Sequence, residues 1–273
     1  MKKFQVTFLG TGTSTGTPII GCKCTVCMSK DSKDKRTRTS VYIKTSDGTS
    51  FVIDTGPDLR HQLLRENIDS CDFAIITHDH SDHLHGIDDL RPFTFLPKRR
   101  SMPVFSSNIH IPRISSRFDY IFKREELFNK RNPYRGGGLP LLNLHSLDEL
   151  SSFFPDLEVE YFHLPHGTGF TSGLIFSKRF AYIIDCHEIP ATALQKLQDL
   201  KLKCLVIDCL QINDHPSHLT VEKSFNYIEK IKPTKAYLIH MNHDLSHRKL
   251  DEMARKRFGN TVFVSYDGLS INV

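Results

Sequence analysis

A chain of 273 residues with 39% hydrophobic and 25% charged side chains has the balance of an ordinary globular protein, which sets aside the disordered and fibrous classes. Its formal charge of +5 is uneven: residues 98–135 hold ten Lys or Arg against three acids, a face that either draws an anionic substrate or simply meets solvent. No apolar run approaches the ~20 residues of a bilayer-spanning helix, so no membrane partner is expected, and the start, MKKFQVTFLGTG, makes a poor secretory leader.

Lys3–Leu9 alternates and reads as a first strand, running into GTGTSTGTPIIGCKCTVC. Gly10, Gly12 and Gly16 do not fit a dinucleotide fingerprint and no P-loop lysine follows, so this is a tight-turning loop near the site with phosphate contact left open. Within it stands Cys22-x-Cys24-x-x-Cys27, three thiols of a tetrahedral zinc site whose candidate fourth ligand is the distant His243. Cys71, Cys186, Cys204 and Cys209 sit in apolar runs and read as small buried hydrophobes. An odd total of seven cysteines, not spaced as a disulfide framework, favours a reducing cytoplasm.

Residues 39–43 and 50–53 read as a hairpin around Asp47 and Gly48, ending at Asp54, a carboxylate expected to orient a ligand histidine. Residues 58–67 have helical spacing behind Pro57, with His61 exposed. The apolar run Phe73 to Ile76 is a buried strand that opens into His78, Asp79, His80, Ser81, Asp82 and His83. Extended chain puts His78 and His80 on one side for one metal; Asp82 and His83, past the turn, can face a second.

Beyond Phe93, MPVFSS reads as a strand and RNPYRGGGLP as an irregular loop. A strand over 157–162 ends in HLPHGTGF, where His163 and His166 compete as ligand; His166, beyond the strand end, is favoured and His163 is structural. Phe180 to Ile184 is a strand delivering Asp185, residues 190–200 suit a helix, and a strand from Cys204 ends at Asp208 before a loop and a helix near Leu219. Ala236 to Ile239 delivers His240, followed by His243, a helix over 248–258 and a short closing strand pair. One rule recurs at Asp54, His78, His166, Asp185 and His240: an apolar strand ends and a metal-binding side chain follows. Strands alternating with helices, and chemistry gathered at strand ends, imply a layered α/β fold in one domain over 1–273.

Together these residues resemble the five ordered motifs of the metallo-β-lactamase superfamily. The resemblance spans almost the whole chain and implies a four-layer αββα sandwich, two mixed sheets face to face, with two metals along one edge. The cysteine cluster, His243 and the stretch GIDDLRPF are similar to the PhnP-like branch, known for phosphodiesterases acting on phosphoribosyl 1,2-cyclic phosphate and related nucleotide diesters. Carried over, the pattern places His78, His80 and His166 on one metal, Asp82, His83 and His240 on the other, Asp185 between them, and a structural zinc on Cys22, Cys24, Cys27 and His243. His218 resembles the family histidine near the substrate phosphate and, with Asp82, is assigned to catalysis.

The resemblance thus implies a cytoplasmic hydrolase with two divalent ions, Zn or Mn, whose shared hydroxide attacks a small phosphodiester. A homodimer is left open. The alternatives are a tRNA 3′-processing nuclease, a thioester or lactone hydrolase, and a non-catalytic nucleotide-binding protein; nucleic acid is not the expected partner, because the aromatic residues of the basic segment should pack onto the body.

Overall fold

The computed structural model describes residues 3–95, 100–128, 133 and 138–273. Its first six strands are β1 (Phe4–Gly10), β2 (Ser40–Thr45), β3 (Ser50–Ile53), β4 (Phe73–Ile76), β5 (Met102–Ser106) and β6 (Leu142–Ser146). The next six are β7 (Val159–His166), β8 (Gly169–Phe176), β9 (Phe180–Ile183), β10 (Cys204–Asp208), β11 (Lys235–Ile239) and β12 (Val262–Val264), before β13 (Ser270–Asn272). They form two mixed sheets, ordered β13-β1-β2-β3-β4-β5-β6 and β12-β11-β10-β9-β8-β7. Each half follows one plan: β1 to β3, and again β7 to β9, run antiparallel, after which β3 to β6 and β9 to β12 run parallel.

Parallel strands require crossovers, and here helices supply or flank them. The helices are α1 (Leu59–Arg65), α2 (Ser81–Leu84), α3 (Ile111–Arg117), α4 (Asp119–Phe122), α5 (Arg124–Leu127), α6 (Leu150–Phe153), α7 (Ala191–Asp199), α8 (Val221–Ile231) and α9 (His247–Phe258). In α8 the apolar residues Val221, Phe225 and Ile228 recur at helical spacing on the buried face; Thr220 caps its start and Lys232, at φ 53, its end. Among the described residues no helix is long and apolar enough to cross a membrane.

Three apolar clusters fill the spaces between four layers. Between the sheets lie aromatic pairs such as Phe51 with Phe73, stacked at 4.5 Å, and Phe176 with Phe180 at 5.5 Å. Outside the first sheet, Leu59, Leu63, Ile114 and Ile121 pack on Ala74, Ile76 and Val104; outside the second, Leu197, Phe225 and Leu250 cover Ile183, Leu205 and Leu238. The αββα sandwich is therefore present.

Several elements differ from the sequence reading. β6, β8 and helices α3 to α5 were not foreseen. His166 is the last residue of β7, not beyond it; β7 is an edge strand, where Pro165 costs no interior ladder bond. The two closing strands do not pair with each other: β12 lies parallel to β11 in one sheet and β13 antiparallel to β1 in the other. Between them Asp267 accepts hydrogen bonds from the backbone and hydroxyl groups of Thr11 and Thr37, fixing the crossing. Of the expected loop 131–140, residues 131, 132 and 134–137 lie outside the described residues, as do Lys98, Arg99 and Lys130 of the basic segment. Phe118 and Ile121 of that segment are buried against the first sheet, as its aromatic content suggested.

Candidate metal centres and the adjoining cleft

Strands β3, β4, β9, β10 and β11 all end along one edge of the sandwich, and the side chains that follow them converge there. Among the described residues eight other than glycine have positive φ, and Asp54 (65°), Asp185 (51°) and His240 (66°) are three of them. A left-handed residue turns the chain sharply at the strand end and costs about 1–3 kcal/mol, strain that persists only where the surroundings fix it.

Two groups of donors result, and a third, His166, Asp185 and His218, overlaps both. The ligand atoms of His78, His80 and His166 lie within 4.8 Å of one another, as do those of Asp82, His83, Asp185 and His240. His80 Nδ1 is 3.1 Å from His166 Nε2, and Asp82 Oδ2 is 3.0 Å from His83 Nε2. Asp185 touches both groups: its Oδ2 lies 3.2 Å from His83 Nε2, 3.7 Å from His78 Nε2 and 3.9 Å from His166 Nε2, while its Oδ1 lies 3.1 Å from His240 Nδ1. The Nε2 atoms of His78, His83 and His240 are buried without a hydrogen-bond partner, and so is Asp185 Oδ1. Buried polar atoms cost free energy unless something pairs with them, and a cation among these four would.

At His78 and Asp185 the electrostatics agree with that use. Burial, reinforced by the neighbouring His83, drives His78 well below the ordinary imidazole value, leaving a neutral ring with a lone pair. Burial opposes charge on Asp185, yet His240 and His83 outweigh it and hold the carboxyl well below its usual range. A neutral His78 beside an ionised Asp185 suits a divalent ion, whereas at His83 burial is outweighed by Asp185, Asp82 and Asp54, which raise that ring well above the ordinary imidazole value and hold a proton that an arriving ion would displace.

Several of the donors are held by a contact outside the two groups. His83 Nδ1 lies 2.8 Å from Asp54 Oδ2, and Asp54 also accepts from the backbone and hydroxyl of Thr77. His166 Nδ1 is 3.0 Å from the Ser217 carbonyl, and His240 Nδ1 is 3.0 Å from Thr39 Oγ1. The glycine-rich loop backs the site and contributes nothing to the cleft wall: Met241 N donates to Thr11, and Thr13 N donates to Met241.

His218 stacks on His240 at 4.9 Å and sits 5.0 Å from His166, ring to ring. Its Nδ1 lies 3.1 Å from Asp208 Oδ2. Burial works against its charge, but Asp208 prevails and raises it to about 9. Asp208 was not singled out from sequence, although it follows the same strand-then-carboxylate rule as Asp54 and Asp185.

At a separate place Cys22, Cys24, Cys27 and His243 meet, with the three sulfurs 3.4, 3.5 and 3.5 Å from His243 Nδ1. Sulfur at ~2.3 Å and nitrogen at ~2.0 Å from one tetrahedral zinc lie ~3.5 Å apart, so this set fits that ion. The backbone N–H of Cys27 leads the effects that lower Cys24 to about 6, favouring its thiolate. Cys71, Cys186, Cys204 and Cys209 are buried thiols, as expected. Every residue expected in the two centres is thus brought to one or the other. His163 and His61 join neither group and both are exposed.

A cleft of about 490 Å³ opens beside His78, His80 and His166, within the ~300–1,000 Å³ range of small-molecule sites. Its wall includes a second pairing absent from the sequence reading: His110 Nδ1 lies 2.9 Å from Oδ1 of Asp79.

The model of the beta-lactamase superfamily domain (Lactamase_B_2) matches residues 49–241. A curated protein from Porphyromonas gingivalis (strain ATCC BAA-308 / W83), named octanoyltransferase, is 36% identical over 267 residues, covering 96% of this chain and 50% of that protein. The chain therefore spans about half the length of the curated relative it matches. Among solved structures, a diphosphatase from the PhnP family is 31% identical with a TM-score of 0.81, covering 98% of this chain and 97% of that one. Zn²⁺-bound PqqB from Methylobacterium extorquens (14% identity, 98% and 100% coverage, TM-score 0.73) and the short form of human tRNase Z (15%, 98% and 98%, 0.64) share the fold.

Proposed function

The chain belongs to the beta-lactamase superfamily, in its PhnP-like branch; from that premise we propose that it is a metal-dependent hydrolase that cleaves a small phosphodiester, of the phosphoribosyl 1,2-cyclic phosphate or nucleotide type, with two divalent ions side by side. In this reading His78, His80 and His166 hold one ion, Asp82, His83 and His240 the other, and Asp185 lies between. The position of Asp185 carries the proposal, since one buried carboxylate reaches both groups of donors. When bound, two such ions supply Lewis acidity and bring a shared water's pKa from 15.7 toward about 7.

The chain's own groups do the rest. His218, tied through Nδ1 to Asp208, presents Nε2 as a donor to a phosphoryl oxygen or to the departing ester oxygen. Asp82, 3.0 Å from His83 Nε2, helps fix that ring while offering its own carboxylate to the same ion. The cysteine cluster is structural, because four protein ligands leave no open position. Its use is mechanical: His240 and His243 are three residues apart, and buried Arg36 donates to the carbonyls of Asn242 and Leu245, on either side of His243.

Octanoyl transfer is not carried over from the Porphyromonas protein, half of which has no counterpart in this chain. The test is hydrolysis by the purified protein with Mn²⁺ or Zn²⁺, comparing a chromogenic phosphodiester with a thioester and a lactone. The phosphodiester should be preferred and His80→Ala inactive; full activity in that variant or after complete metal removal contradicts the proposal.

A further inference from the structure

The cleft beside the three histidines has apolar rim residues that the hydrolytic chemistry does not use. Ile109 and Phe170 line it while remaining 47% and 46% exposed. Two large apolar side chains and a guanidinium on the wall of one cleft are the kind of lining that small-molecule sites present. Arg113 lines the same cleft with its side chain 76% exposed and its guanidinium 3.7 Å from Asp79 Oδ2. A guanidinium that open keeps N–H donors for a further anion.

Both apolar residues are tied to segments that carry the histidines. Phe170 follows His166 through a hairpin closed by the pair His166 and Gly169, leaving a two-residue turn with Gly167 at φ 56. Ile109 adjoins His110, which is bonded to Asp79, the residue between His78 and His80. A seat fixed in this way loses little freedom when a ligand enters.

We infer that this part of the cleft seats the nucleoside half of the substrate, with the base against Phe170 and Ile109 and an anionic group on Arg113. The inference rests on the phosphodiesterase reading for the bond that is cut, and on cleft geometry alone for what is bound. Aromatic stacking suits a base of any sequence identity, so the seat should prefer nucleotides over bare sugar phosphates without choosing strongly among bases.

Calorimetric titration of the metal-loaded full chain with AMP, ribose 5-phosphate and phenyl phosphate tests it without requiring turnover. AMP should bind at least tenfold more tightly than either of the others, a difference of ~1.4 kcal/mol. Phe170→Ala should weaken AMP about tenfold and leave ribose 5-phosphate unchanged, Phe170→Trp should keep the preference, and Arg113→Gln should weaken both phosphates by a similar factor. Equal affinity for AMP and ribose 5-phosphate, an intact preference in Phe170→Ala, or phenyl phosphate binding as tightly as AMP overturns the nucleoside seat. The two readings fail separately: an AMP preference in a protein that hydrolyses no diester removes the phosphodiesterase reading alone, whereas hydrolysis with no AMP preference removes only the seat.

Discussion

Replacing Asp54 by Asn should cost metal affinity through the tautomer of His83. Asp54 Oδ1 accepts from the fixed backbone N–H of Thr77 at 2.8 Å, and Oδ2 faces His83 Nδ1 at 2.8 Å. An asparagine must keep its carbonyl toward the Thr77 N–H, so its NH₂ turns toward His83. Nδ1 then becomes an acceptor and the proton moves to Nε2, the atom 3.0 Å from Asp82 and 3.2 Å from Asp185 that would otherwise hold the ion. Asparagine tolerates the left-handed backbone at φ 65, so the fold should survive. Loss of such an orienting partner costs ~10–100-fold in metal affinity, or ~1.4–2.7 kcal/mol. Stability should fall less, about 1 kcal/mol, since each hydrogen bond keeps a partner. Zn²⁺ competition against a chromogenic chelator at pH 7, with circular dichroism to verify folding, measures the effect. A folded Asp54→Asn protein with unchanged affinity at the two sites outside the cysteine cluster refutes this reasoning.

Two further outcomes follow from the same geometry. Cys22→Ser should lower the bound zinc by one equivalent by mass spectrometry and reduce the melting temperature, because binding at such a site contributes directly to folding; unchanged metal content speaks against a zinc there. His218 is raised to about 9, so its protonated form prevails below that pH and is lost above it. The basic limb of kcat/KM should therefore lie near pH 9 and move to lower pH in Asp208→Asn, whereas a limb that stays in place removes His218 as the proton donor.

The parallel strands β4, β10 and β11 were legible because both their faces are covered, which leaves continuous apolar runs such as FAII and CLVI. The side chains that follow such runs were therefore legible too, His78 and His240 among them. β8 was hidden by composition: Gly173 lies opposite Phe162 in the β7 ladder, and a Cβ there would come within 2.7 Å of that ring, so packing across strands demands a residue that strand propensity disfavours. His166 reaches a donor group and His163 does not, because residues three apart in one strand face opposite sides. His110 carried no local signal, since its partner Asp79 is 31 residues away. Asp208 did carry one, the strand end itself, but its role emerges only when His218 folds back from ten residues on. The closing strands looked like a pair because they are adjacent in sequence; burial of each against a different sheet decided otherwise.

Anomalous diffraction from crystals grown with Zn²⁺, recorded on both sides of the zinc absorption edge, tests the paired-ion centre most directly. Two peaks ~3.5–4 Å apart should flank Asp185, with a third enclosed by Cys22, Cys24, Cys27 and His243. A single peak beside Asp185, or none, contradicts the account.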